Sequence, residues 1–181
     1  MIPVDLRSER LLLDQLTAAD RDLMVEYCRD PGFEHTMTLP WPYTAVNADF
    51  FVHDYVPKGW ATDAEYTWAV RCDDQFVGVL GYRFKRSDIG YWMGNPHRGK
   101  GIMSEALGAV IQWLFSVGVE RVEWECVTGN VASLAVTRKN GFTYTGDAPT
   151  GIPFRDGSHP RAWHGVLRAT DARESKPGWP A

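Results

Sequence analysis

Cysteine is scarce in this chain: only Cys28, Cys72 and Cys126 occur in 181 residues. An odd, widely spaced set with no CxxC pair and no histidine at zinc spacing argues against a disulfide framework or a thiolate metal site, so the thiols read as reduced and structural. No apolar run approaches the ~20 residues that a bilayer-spanning helix needs. Phe76 to Tyr82 is typical of the longest stretches, and Met1 to Arg10 lacks the basic-then-apolar order of a leader. Excess positive charge is missing as well. Nineteen Lys and Arg face 23 Asp and Glu, so the net charge of −4 supplies no field to hold a polyanion nonspecifically. Together these absences predict a soluble, cytoplasmic protein with neither nucleic acid nor a membrane as partner.

Aromatic residues, by contrast, are plentiful. Eight Trp, seven Tyr and eight Phe suffice both to fill a core and to line a cleft. The length suits one domain, assigned to residues 1–170, and the polar tail from Asp171 to Ala181 is expected to be disordered. No internal repeat or linker interrupts the chain.

Hydrophobic periodicity gives an outline of the fold. Arg10 to Leu16 reads as a short buried strand, and Thr17 and Asp20 can cap a helix carrying Leu23, Met24 and Tyr27. Phe33 to Pro42 reads as loop; a second helix from Thr44 through Tyr55 is expected to stop at Pro57-Lys58-Gly59. Tyr66 to Val70, Phe76 to Phe84 and Ile89 to Met93 form three consecutive strands with short connections, which suggests an antiparallel meander. Met103, Leu107, Val110, Leu114 and Val117 then step by four and three along the clearest helix, capped by Gly118. Val122, Trp124 and Cys126 alternate with Arg121, Glu123 and Glu125 in a strand whose charged residues are read as an outer face. A short helix from Asn130 to Lys139 and strands at Phe142 to Thr145 and Ala162 to Leu167 complete the outline. A crossover through the long helix would set the strand at Met93 parallel to the strand at Trp124, giving a mixed sheet with helices packed on it.

The most informative segment joins a strand to the N-terminus of that long helix: Asn95-Pro96-His97-Arg98-Gly99-Lys100-Gly101-Ile102-Met103-Ser104-Glu105. Glycines at 99 and 101 let backbone approach a ligand, and unbonded N–H groups of a first helical turn favour an anion such as a pyrophosphate. Arg98 and Lys100 add charge and Ser104 a hydroxyl. An ordinary turn with solvated charges would show the same local pattern. A P-loop is excluded because Gly99-Lys100-Gly101 has no GK[ST] frame, and the dinucleotide pattern GxGxxG breaks at Ser104.

The run Arg98-Gly99-Lys100-Gly101-Ile102-Met103 resembles the acyl-CoA signature of the GNAT superfamily of N-acetyltransferases, Arg/Gln-x-x-Gly-x-Gly/Ala, departing at its last position. The wider context is similar to the RimJ/RimL-type branch, the ribosomal-protein N-terminal acetyltransferases. That context includes Arg10 to Leu13, Ile89-Gly90-Tyr91-Trp92, Met103-Ser104-Glu105-Ala106, Asn130-Val131-Ala132-Ser133 and Lys139-Asn140-Gly141-Phe142. The resemblance implies an α+β, α/β-type GNAT fold: a mixed, mostly antiparallel sheet of about seven strands with about four helices, splayed between strands 4 and 5. It also implies acetyl-CoA or another acyl-CoA as cosubstrate. The pyrophosphate would rest on Arg98 to Ser104 (with Gly99, Lys100, Gly101, Ile102 and Met103), the pantetheine on the backbone of Trp92 and Met93, and the thiol end near Asn130 and Ser133.

Acyl transfer to nitrogen needs a neutral amine, a donor for the oxyanion and a proton for the departing thiolate. No metal is needed for this. By resemblance Ser133 is the acid at sulfur. The base is open, because relatives carry Glu where this chain has Thr145; Asp88, Asp147, Tyr144 and His164 remain as candidates. Trp41, Tyr43 and Trp60 lie on and beside the segment that covers the acceptor site in the family, and could form an aromatic acceptor pocket or pack in the core. The expected function is N-acetyl transfer to a protein N-terminus, a lysine or a small amine by a monomer or homodimer. A noncatalytic acyl-CoA sensor and a succinyl-CoA-type acyltransferase are the alternatives.

Overall fold

The structure is a computed structural model, and residues 2–180 are described. The short β1 (Leu6–Arg7) pairs antiparallel with β2 (Leu11–Asp14), where Leu11 and Leu13 point into the core. Asp20 ends the turn after β2 and accepts two bonds from Arg71 before α1 (Arg21–Cys28) begins. The segment expected as loop contains a short helix, α2 (Gly32–Thr36). Asp30 Oδ1 accepts the Gly32 N–H at 2.8 Å and starts that turn, a side-chain device that periodicity does not register.

The next helix also departs from expectation. α3 (Ala45–Phe50) runs through a wide π turn, Phe51–Tyr55, into α4 (Val56–Ala61) instead of stopping at Pro57. Pro57 falls in the first turn of α4, where a missing N–H is tolerated. Gly59 does not end the helix; it lets the helix approach the chain at Glu65, whose carbonyl oxygen would lie 2.6 Å from a Cβ at position 59.

β3 (Glu65–Cys72), β4 (Gln75–Arg83) and β5 (Asp88–Met93) form the expected meander. α5 (Ile102–Ser116) crosses back to β6 (Arg121–Val127), and its Leu107, Ile111 and Leu114 are fully buried, each contributing about 1.5–3 kcal/mol of burial free energy. α6 (Val131–Lys139), β7 (Thr143–Pro149) and β8 (Arg161–Arg168) follow, and β8 enters the sheet between β6 and β7. The sheet order is β1-β2-β3-β4-β5-β6-β8-β7. Among the described residues it therefore has eight strands where about seven were expected, the two-residue β1 being the shortest, and six α-helices where about four were expected. The expected splay accordingly falls between the fifth and sixth strands in this numbering.

β5 and β6 run parallel but register at a single pair, Asp88 with Glu123, closed by the Glu123 N–H on the Ser87 carbonyl at 2.6 Å. Towards Met93 and Val127 the two strands have no ladder between them. Of the tail expected to be disordered, Ala181 lies outside the described residues, and the described residues after β8 form no helix or strand. The Trp179 ring nevertheless lies 5.8 Å from Trp124 and 5.6 Å from Tyr144, and Lys176 bonds Thr143 Oγ1 at 2.8 Å. Polar composition conceals this anchoring, because one aromatic side chain supplies most of it.

Candidate active site

A cavity of about 830 Å³ opens in the gap between β5 and β6. Its wall is made by residues 97–104, the start of α6, α2, Ile152 and Phe154. The groups along this wall differ in chemistry from the glycine turn to Glu125.

At the first end Gly99 (φ +77°) and Gly101 (φ +76°) both hold the left-handed conformation that L side chains resist. No side chain caps α5, so the N–H groups of Ile102, Met103 and Ser104 at its start are free to face an anion. Ile102 and Met103 bury their side chains, leaving their backbone as the part that can meet a ligand. Lys100 is exposed, whereas Arg98, on the cavity wall, is engaged by the protein: it donates to the Met93 carbonyl (3.0 Å), pairs with Asp30 (2.8 Å) and lies 4.9 Å over the Phe33 ring. His97 stands beside the turn, 3.0 Å from the Tyr27 hydroxyl, and burial together with Lys100 lowers its pKa.

Backbone alternation sets which groups line the gap. Gly94 donates to Val77 on β4, so Trp92, in register with Val79, also turns its N–H and C=O to β4, while Tyr91 and Met93 turn theirs to the gap. Of the two residues expected to meet a pantetheine through their backbone, Trp92 is turned to β4, whereas Met93, and with it Tyr91, faces the gap. What Trp92 offers the cavity wall is its ring, which packs against Phe33 and Phe76.

In the middle of the slot Asn130 caps α6 by accepting the Ser133 N–H at 3.1 Å. Ser133 Oγ accepts from the Trp124 indole (3.2 Å) and shares a hydrogen bond with the Tyr91 hydroxyl (2.9 Å). Burial pushes the Tyr91 phenol well above its usual range, so it stays protonated. Burial also pushes the Cys126 thiol, on the same wall, up to about 12, which makes it inert. Tyr91 was quoted as part of a motif, but nothing in the sequence marked its hydroxyl as a partner of Ser133.

At the far end Glu125 is the one carboxylate on the cavity wall among the described residues. Its Oε2 accepts the Gly151 N–H at 2.9 Å and its Oε1 pairs with Arg86 at 3.2 Å. Alternation had assigned Glu125 to a solvated face, but that face is the one the splay opens onto the slot. Asp88 does not reach this cavity. Buried at the start of β5, it is held by Arg83 (2.8 and 3.0 Å) and Arg86 (2.8 Å). Tyr144 is also placed elsewhere, donating to Asp147 at 2.5 Å on β7 and packing on Trp179.

The expected aromatic acceptor pocket is not at this end either. Trp60 is buried, stacks on Tyr66 at 4.2 Å and donates to the Thr67 carbonyl, Tyr43 is buried, and Trp41 packs against the core. Their size drew them into the hydrophobic interior. The wall is built instead by Phe33, Met37, Trp92, Ile152 and Phe154. Two loops meet above it, where the Arg155 guanidinium donates to the carbonyl oxygens of Met37 (3.0 Å), Leu39 (2.7 Å) and Glu34. No group of three His, Cys, Asp or Glu among the described residues could hold a metal ion, and no helix is long and apolar enough to cross a membrane.

Residues 10–143 match the Acetyltransferase (GNAT) domain family. The uncharacterized N-acetyltransferase p20 of Bacillus licheniformis is 28% identical over 151 residues, covering 78% of this chain and 83% of that protein. The ribosomal-protein-serine acetyltransferase of Escherichia coli is 34% identical over 80 residues, 41% of this chain and 45% of its own. Among solved structures, RimL, the ribosomal L7/L12 alpha-N-protein acetyltransferase in complex with coenzyme A, superposes with a TM-score of 0.77 at 20% identity, over 91% of this chain and 98% of that one. The microcin C7 self-immunity acetyltransferase MccE, in complex with acetyl-CoA and AMP, gives 0.77 at 18% identity, over 89% and 93%. The family match spans the meander, the glycine turn and both strands of the splay, and on that ground the chain belongs to the GNAT acetyltransferases.

Proposed function

We propose that this protein transfers an acetyl group from acetyl-CoA to a primary amine by direct attack in a ternary complex. The observation that carries the reading is the slot between β5 and β6, lined by a left-handed glycine turn and, among the described residues, by a single carboxylate. A cosubstrate with a pyrophosphate and a long amide-bearing arm fits this arrangement. The turn and the free N–H groups of α5 would take the phosphates, and the gap-facing backbone of Tyr91 with the N–H of Met93, whose carbonyl is held by Arg98, would take the arm.

Glu125 is the general base of this reading. An α-ammonium group of pKa about 8 or a lysine of about 10.4 must lose a proton before it attacks, and Glu125 is the carboxylate that an amine in the slot would meet. The Met93 N–H would face the oxyanion, and the Tyr91–Ser133 pair would protonate the departing thiolate, with Trp124 orienting Ser133. The apolar wall favours an acceptor that reaches in as a narrow chain, such as a protein N-terminus.

The test is thiol release from acetyl-CoA in the presence of N-terminal peptides, lysine peptides and small amines, with the product mass read in parallel. Acetylated product and release above the hydrolysis background are expected, with succinyl-CoA slower. Tight acetyl-CoA binding without product from any acceptor would instead mark a noncatalytic acyl-CoA sensor.

A further inference from the structure

Behind Glu125, away from the slot, lies a second cavity of about 300 Å³ lined by Arg86, Asp88, Glu123, Trp124, Pro149, Gly151 and His164 as well as Glu125 itself. Glu125 is thus the carboxylate shared by both cavities. His164, on β8 and directly opposite Glu125 in the β6–β8 register, points Nδ1 at Glu125 Oε2 over 3.8 Å. Its other nitrogen, Nε2, contacts the Ala148 carbonyl oxygen at 3.4 Å. The Ala148 carbonyl and the ionised Glu125 carboxylate both only accept, but only the carbonyl is within hydrogen-bond distance, so the proton of a neutral ring belongs on Nε2 and Nδ1 is left facing the carboxylate.

We infer that His164 is the second proton carrier of the site: it takes from Glu125 the proton that Glu125 takes from the acceptor amine, and passes it to water in the rear cavity. The inference rests on the assignment of Glu125 as base made above. The steps balance. Ammonium and carboxylate become amine and carboxylic acid; the acid then gives its proton to Nδ1 through one bridging water or after a side-chain rotation that closes the 3.8 Å separation, regenerating carboxylate and forming imidazolium. Loss of the Nδ1 proton to water restores the Nε2–H ring, so neither oxidant nor co-reactant is needed. The other charged groups lining this cavity are Arg86 and Asp88, which pair with each other, and Glu123 on β6, which pairs with Arg121; Arg83 also pairs with Asp88, and the Asp147–Arg161 pair lies on β7 and β8 outside the lining. Arg86 holds Oε1 of Glu125, which leaves Oε2 as the oxygen on the His164 side.

Two measurements test this. Imidazole 15N NMR of the full chain at neutral pH, with His164→Gln to assign the signal, should show the Nε2–H tautomer, and an Nδ1–H tautomer would overturn the proposal. This arm needs no turnover, so it stands apart from any failure of the acetyl-transfer reading. In the second, His164→Gln should turn over at least about tenfold more slowly than wild type in dilute buffer near pH 7, with its acetyl-CoA affinity and melting temperature unchanged, and added imidazole should restore most of the rate. Full turnover in dilute buffer, or a slow variant that imidazole does not rescue, would leave His164 a packing residue and refute the relay, whereas Glu125 would keep its role.

Discussion

Glu125→Gln is the perturbation that bears most directly on the chemistry. The amide keeps the shape of the side chain and can still accept the Gly151 N–H, now held at 2.9 Å, but it cannot take a proton from an ammonium group. No other carboxylate among the described residues lines the slot, and Asp88 is held by two arginines, so no neighbour can substitute. The variant must therefore wait for amine that is already neutral. At pH 7 that is about one part in ten for an α-amine of pKa about 8, and about four parts in ten thousand for a lysine of about 10.4. Adding the usual share of a positioned base gives an expected loss of about 10²-fold in kcat for an N-terminal peptide at pH 7, or about 2.7 kcal/mol of transition-state stabilisation. The loss should shrink by about tenfold for each pH unit up to the amine pKa, since only the neutral fraction limits the variant. Thiol release at saturating acetyl-CoA between pH 6.5 and about 9 measures this, and calorimetry should show acetyl-CoA binding unaltered. A variant with wild-type rates at pH 7, or with a loss that does not change with pH, would refute the assignment.

Three further outcomes are expected. Gly101→Val should weaken acetyl-CoA binding in calorimetry more than Lys100→Ala does, because a β-branched residue at φ +76° costs at least about 1–2 kcal/mol of backbone strain in the turn whereas Lys100 is exposed; equal, near-wild-type affinity for both would remove the turn as the anion site. Tyr91→Phe and Ser133→Ala should each lower kcat by about tenfold or more with little change in acetyl-CoA affinity, and a Tyr91→Phe enzyme at full rate with chemistry rate-limiting would show that Ser133 works without its partner. Asp20→Asn should cost about 3 kcal/mol in urea unfolding, because Arg71 loses a buried bidentate partner. Asp20 is held below its ordinary pKa by Arg71 and Thr17 against the opposing effect of burial. In the wild type its contribution should therefore be complete above the ordinary carboxylate range, near pH 4, and vanish as pH falls through the lowered folded value; a variant with unchanged acid sensitivity would contradict this.

Features carried by spacing were legible before any coordinates. The 3.6-residue step from Met103 to Val117 gave α5, the alternation from Tyr66 to Val70 gave β3, and the glycines at 99 and 101 marked the turn, since each pattern is a direct image of local backbone geometry. The site was less legible where function depends on which side of a gap a face looks onto. Alternation correctly separated Glu125 from Trp124 and Cys126, but whether that outer face met water or a cavity depended on one missing ladder between β5 and β6. Tyr91 and Ser133 are 42 positions apart, and only the crossover brings their hydroxyls together. Trp60 and Tyr43 misled for a different reason: an aromatic near a binding segment and an aromatic in the core have the same composition, and burial decides between them.

The Arg155 clasp has a consequence for how acceptor preference could change. Its three bonds go to main-chain oxygens at positions 34, 37 and 39, which every amino acid supplies alike. Side chains in that loop can therefore be exchanged, and the wall they present to an incoming amine reshaped, while the loop keeps its place over the slot. Such an arrangement lets selectivity drift by substitution in one short segment without disturbing the glycine turn, Ser133 or Glu125.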